Sequence, residues 1–333
     1  MECGVFNQRV KTPHLSSAFP GMSKFTTNPY FQFTETDENR KLVRSDGVKF
    51  HSWFKRVTGD ILRINVLIGN GLIGLVLLTG ALMTGLATGA DDASALAQKV
   101  YDRPNGHDLT TVGRMVLTEK GHAPRIREWV TYRLEKIKGE TANLIRFSEP
   151  EDIAGTGLLS LDKANGKSEQ WLYLPALDRV RRISGDRKGG RFVGSDLYYE
   201  DLQERKPSED RHRLLGSETL NGTVCDILES IPVDAENSVY RKRVSWIDPK
   251  TLMALRVDFF EKDDTTPSKR WWIVSKKKNQ GFWTATDSRV IDLSNGHETR
   301  LVVDTALYDR NLPASLFNTQ TLADENLESE YRP

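Results

Sequence analysis

From residue 114 to residue 308 the chain alternates apolar and polar residues at a period of two, broken at short intervals by turn signals. Val130, Tyr132 and Leu134 oppose Thr131, Arg133 and Glu135, and residues 114–119 alternate in the same way. Alternation of this kind sends successive side chains to opposite faces of a strand. Further strands are predicted over 142–147, 157–161, 169–174, 213–220, 224–231, 240–247, 254–261, 270–276, 283–292 and 299–308. Asn165-Gly166, Asn221-Gly222, Asp248-Pro249, Asp263-Asp264, Asn279-Gln280-Gly281 and Asn295-Gly296 fall between them as hairpin or turn signals. One helix precedes them: Asp91-Asp92-Ala93-Ser94 marks its start, and Pro104-Asn105-Gly106 its stop. A dozen strands with one leading helix leave no crossover helices for a doubly wound sheet. The prediction is a mainly β fold, a single antiparallel meander curved into a barrel or an open barrel. Residues 313–317 read as a short terminal helix, and the last ten residues as loose.

The composition removes several function classes. Hydrophobic content is 38% and mean hydropathy −0.50, which describes a globular chain with a wet surface. Up to Ala90 there are 10 basic and 6 acidic residues, leaving 37 and 40 beyond it, a net of −3. A slightly acidic body lacks the concentrated positive face that nucleic acid demands. No two of the histidines have metal-ligand spacing. No Gly-x-Ser-x-Gly elbow would expose Ser160 or Ser195 as a nucleophile. Residues 185–190 match a phosphate loop only in glycine content, because the Gly-Lys-Ser/Thr ending is missing. The sequence therefore predicts no catalytic residues, no metal and no cofactor. Cys225 reads as a small buried hydrophobe.

Residues 64–90 carry no charge and follow Lys55, Arg56 and Arg63. Such a run is long enough to span a bilayer, and the basic flank would keep its N-terminal side in the cytoplasm. It ends Thr88-Gly89-Ala90, small residues at −3 and −1 of a cleavage point before Asp91. Three parts follow: 1–60, a disordered or mis-assigned extension; 61–90, a signal peptide or a retained anchor; and 91–333, one β domain. Both alternatives place the domain outside the inner membrane, in the periplasm.

Several strands are apolar on both faces. Trp171 and Tyr173 point one way and Leu172 and Leu174 the other; Phe259 opposes Phe260, and Trp271 opposes Trp272. An antiparallel sheet wet on one side would alternate cleanly, so the second face needs a covering layer or an apolar ligand. The residues expected to line an apolar cavity are Trp171, Tyr173, Phe192, Tyr198, Phe259 and Trp272. Arg181, Arg182, Lys188 and Arg191 form a basic cluster suited to anionic headgroups or an acidic partner, on a loop expected to act as a flap at the cavity mouth. Gly155-Thr156-Gly157 and Gly194-Ser195 read as sharp turns, with Asp152 and Asp196 accepting hydrogen bonds from them.

Three blocks stand in order: Pro150-Glu151-Asp152 leading to Gly155-Thr156, then Trp171-Leu-Tyr-Leu-Pro175-Ala176 leading to Arg181-Arg182-Ile183, then Gly194-Ser195-Asp196 leading to Tyr199-Glu200-Asp201-Leu202. In these the sequence resembles the outer-membrane lipoprotein-sorting family, LolA-like periplasmic carriers, over residues 91–324. The resemblance implies an incomplete barrel with helices on its concave face, acyl chains of lipoproteins or other lipids as ligand, no cofactor, cooperation with an inner-membrane exporter, and a monomer. A non-enzymatic adaptor domain of an envelope transport complex, its barrel filled by its own side chains, is the alternative.

Overall fold

The computed structural model describes residues 88–137 and 139–333. The extension 1–60 and the charge-free run up to residue 87 lie outside the described residues. No helix among the described residues is long and apolar enough to cross a membrane.

Helix α1 (Thr88–Tyr101) leads into thirteen strands. These are β1 (Asp108–Thr118), β2 (Arg125–Ile137), β3 (Glu140–Glu149), β4 (Gly157–Asp162), β5 (Ser168–Leu174), β6 (Arg179–Ile183) and β7 (Asp210–Leu220). Then come β8 (Thr223–Pro232), β9 (Lys242–Asp248), β10 (Met253–Phe260), β11 (Lys269–Asn279), β12 (Phe282–Asp292) and β13 (Glu298–Tyr308). The order across the sheet is β6-β5-β4-β3-β2-β1-β13-β12-β11-β10-β9-β8-β7, every pair antiparallel. The meander is therefore as expected, and it is not closed: β6 and β7 are both edges.

Two hydrogen bonds require the sheet to curl. Gln170 on β5 donates to the Tyr199 carbonyl, and Lys269 on β11 donates to Asp201. Tyr199 and Asp201 are two residues apart, a reach of about 7 Å. In a flat sheet β5 and β11 would stand seven strand spacings apart, roughly 34 Å. The segment 184–209 between β6 and β7 thus lies as a plug within the concave face. α1 shares that face, setting Ala93 and Ala97 against Leu228 and Ile247.

The opposite face of β2–β5 is covered by the C-terminal tail. Leu312, Leu316, Phe317 and Leu322 pack on Val130, Tyr132, Leu144 and Leu159, each fully buried apolar side chain contributing about 1.5–3 kcal/mol. The last ten residues are not loose as expected, because Glu328 is wholly buried among them. The terminal helical stretch is also longer than expected: a 3-10 turn at Ala314–Leu316, α2 (Thr319–Ala323), then a 3-10 run over Glu325–Tyr331. Sequence alternation found every strand except β6. Arg179-Val-Arg-Arg-Ile183 is an exposed edge with no fully buried side chain, so it carries no apolar periodicity to read.

Candidate functional site

The concave face and its plug carry the unusual chemistry. Phe192 and Leu197 of the plug are buried against Phe147, Leu158, Met115 and Val290, with the Phe192 ring centroid 5.6 Å from Phe147 and 6.0 Å from Tyr199. The expected flap is therefore pinned by its own apolar residues. Ser195 Oγ closes the turn by donating to the Phe192 carbonyl at 2.7 Å and accepting from the Leu197 N–H at 3.2 Å. Gly194 supplies a φ of 73° there, a conformation open to glycine at little steric cost.

Asp196 is the first polar tie. Its buried carboxylate accepts from Arg191 at 2.6 Å, from the His297 ring at 2.6 Å and from the Thr299 hydroxyl at 2.8 Å. Arg191 also bonds Asp292 on β12. The second tie is Lys269, whose ammonium meets Asp201 at 2.5 Å and donates to the Tyr240 hydroxyl. It lies 3.8 Å from the Tyr198 ring centroid and 4.9 Å from those of Tyr240 and Phe259, a cation held in an aromatic cage. Burial, then the neighbouring carboxylates Asp201 and Glu261 respectively, push the Tyr240 and Tyr198 hydroxyls well above the ordinary phenol range.

Under the tail, Arg146 is fully buried with Glu328 as its ion-pair partner at 3.2 Å. It also donates to the carbonyls of Gly155 at 2.7 Å, Leu322 at 2.9 Å and Thr321 at 3.0 Å. This accounts for the Gly155-Thr156-Gly157 motif. Gly155 turns with φ 78° and presents its carbonyl; a Cβ on Gly157 would stand 2.8 Å from the Arg146 guanidinium and from Leu322. Tyr132, close by, has its hydroxyl pushed up to about 12 by burial and by Glu328.

The structure brings Phe192, Tyr198 and Phe259 to the concave face, Tyr198 and Phe259 meeting through Tyr240. Trp171 and Tyr173 lie on the other face with the tail cluster. Trp272 is likewise on the outer face, in a groove of about 380 Å³ with Leu220, Leu255 and Val274. The six aromatics thus do not share one wall. Arg182 pairs with Glu169 and Lys188 bonds Asn237 beside a polar cavity of about 450 Å³, while Arg181 stays exposed on β6. Asp152 is exposed and makes no hydrogen bond among the described residues. Cys225 is buried, and desolvation raises its thiol above the ordinary range.

Sequence reasoning missed Arg146, Lys269, Asp201, His297 and Glu328. The signal for the first two was present: Arg146 follows Ala142 and Leu144 in parity, and Lys269 precedes Trp271, so each puts a charge at an apolar position. Their partners come from distant segments and carried no local signal.

An unclosed antiparallel meander, plugged on its concave face, defines the class as a LolA-like open barrel. A crystal structure of a LolA superfamily protein from Nitrosomonas europaea shares this fold at a TM-score of 0.54 and 17% identity, over 70% of this chain and 98% of that one. Closer likeness comes from an outer membrane lipoprotein-sorting protein domain of Vibrio parahaemolyticus, with 31% identity, TM-score 0.66 and coverage of 70% and 99%. A DUF1329 family protein from Desulfovibrio piger gives 30%, 0.66, and 70% and 98%. A family model described as "-like: Uncharacterized protein" matches residues 139–324. Among curated proteins nothing matches the chain. The chain belongs to the LolA-like family of these lipoprotein-sorting and DUF1329 proteins.

Proposed function

We propose that this protein is an exported, non-enzymatic carrier or acceptor that shelters acyl chains of lipoproteins or other lipids in the periplasm. The observation that carries the reading is the apolar concave face occupied by a separable segment of the same chain. Phe192, Leu197 and Tyr199 fill the space an acyl chain would take, and polar ties hold the plug at its edges. Displacing such a plug exposes apolar surface, and each methylene buried in exchange contributes about 0.8 kcal/mol. The likeness to a lipoprotein-sorting protein domain supports the same ligand class. Delivery from an inner-membrane exporter and action as a monomer, either free in the periplasm or tethered through residues 64–90, belong to this reading.

The test is binding of a fluorescent fatty acid, with lipid extraction and mass spectrometry of the purified protein. Phe259→Asp should abolish binding while the β circular-dichroism signal persists. A protein free of lipid that also ignores the probe overturns the carrier. That outcome favours the second reading, an adaptor domain, which rests on the interior being filled by its own side chains.

A further inference from the structure

Two arginines on the concave face line one cavity and make few side-chain hydrogen bonds among the described residues. The C-terminal end of α1, the linker to β1, Arg133 and Glu135 of β2, Gly139 and Glu204 of the plug line an open cavity of about 550 Å³. Arg103 and Arg133 both line it. The Arg133 side chain is only 15% exposed, yet among the described residues its one side-chain hydrogen bond is a 3.4 Å contact to the Gly106 carbonyl, and Glu204 stands 3.7 Å away. Among the described residues Arg103 makes one hydrogen bond, also 3.4 Å, to the Trp283 carbonyl. Each guanidinium offers five donors, and those without a protein partner are open to the cavity. Arg146 differs: fully buried, it spends its donors on one carboxylate and three carbonyls.

We propose that this cavity is a receptor for a phosphate-type oxyanion, gripped by Arg103 and Arg133. Burial, and then the repulsion of Arg133 against the pull of Tyr308 and Glu204, lower the Arg103 pKa from its ordinary value, the condition a bound anion relieves. Lys206 adds a third cation at the rim, bonding Tyr101 Oη at 3.0 Å and the Gly139 carbonyl. Four groups oppose the anion. Asp102 is exposed and bonded to Gln98, Glu135 lies toward the β2 end, and the α1 C-terminus carries a partial charge of about −0.5. Glu204 is the main competitor, since it already leans on Arg133. A tetrahedral oxyanion suits the two planar forks, which bind phosphate through paired donors. The volume leaves room for the group esterified to it. The assignment deepens the carrier reading by naming an anionic headgroup, and only the source of the phosphate rests on that reading.

The experiment titrates inorganic phosphate into the full chain by calorimetry, then short-chain phosphatidic acid and phosphatidylcholine below their micellar concentrations. Wild-type protein should bind phosphate, and more weakly as salt rises. Arg103→Gln and Arg133→Gln should each weaken binding about tenfold or more, the worth of a charge-assisted hydrogen bond. Glu204→Gln should tighten it, because a competing carboxylate is gone. A purely structural Arg133–Glu204 pair gives no such gain. Circular dichroism confirms that each variant is folded. Absence of phosphate binding, an unchanged affinity in Arg103→Gln, or a loss of affinity in Glu204→Gln overturns the site. Phosphatidic acid binding more tightly than phosphate identifies a lipid headgroup, and equal binding identifies free phosphate; both support the receptor. If fatty-acid binding fails while phosphate still binds, the carrier reading falls and the anion site stands.

Discussion

The two faces of the sheet are covered by opposite means. The concave face is filled by an internal segment, chained at both ends to β6 and β7 and tied to β5, β11, β12 and β13 by separate polar contacts. The outer face is covered by the C-terminal tail, chained at one end, started by Arg310 and Leu312 N–H bonds to Asp108 and anchored further on by Arg146 and Glu328. The plug's ties reach separate strands, so losing one leaves the others in place, although Lys269–Asp201 is itself a nearly buried pair. The tail concentrates its polar anchorage on Arg146 and Glu328, so losing Arg146 loosens it at one point that nothing else on the sheet replaces among the described residues. On the carrier reading proposed above, the faces divide the work, the outer one stabilising the scaffold and the inner one exchanging its plug for ligand.

The sharpest break in that comparison is Arg146→Ala. It strips the donor from three carbonyls and leaves buried Glu328 with only the partly exposed Arg332 as partner, and the expected loss is about 3 kcal/mol, read as a lowered denaturation midpoint. Limited proteolysis should then cut between residues 312 and 333 while the plug stays protected. Early cleavage in the plug would erase the distinction between the two faces.

Asp196→Asn should act more gently and on the other face. It keeps the size of the side chain but weakens the acceptor shared by Arg191, His297 and Thr299, an expected loss of about 1–3 kcal/mol. Amide exchange should rise in residues 191–202 and stay unchanged in the tail. Faster uptake of the fluorescent fatty acid should accompany it.

The smallest effect concerns acid and sets a baseline independent of both coverings. Burial opposes ionisation of Asp258, but hydrogen bonds from Arg270 at 2.6 Å and Arg256 at 2.9 Å prevail and hold its carboxyl below the ordinary value. A carboxyl depressed in the folded state contributes stability above its unfolded value of about 3.9. That stability is lost as pH falls through the lower folded value. Asp258→Asn should flatten this acid limb in thermal melts between pH 5 and pH 2, with plug and tail protection unaltered.

The sequence by itself determined all the strands but β6, their antiparallel meander and the family; the pairing of β1 with β13 and the break between β6 and β7 came from the tertiary structure. Alternation and turn residues act within a few positions of one another, so Val130-Tyr132-Leu134 declares a strand wherever it ends up. The sequence also marked Gly155 and Gly194 as turns, and both take a positive φ; Gly157 instead opens β4, and only the approach of Arg146 and Leu322 excludes a side chain there. Only the tertiary structure decided which face each aromatic would meet. Parity separates Trp171 from Leu172, but the curl of the sheet, together with what came to lie on each side, sent Trp171 under the tail and Phe259 toward the plug. Tertiary structure alone also joined Arg146 to Glu328, Lys269 to Asp201 and Asp196 to His297. A buried charge is stable only beside its counter-charge, and nothing local in the chain says where along it that partner stands.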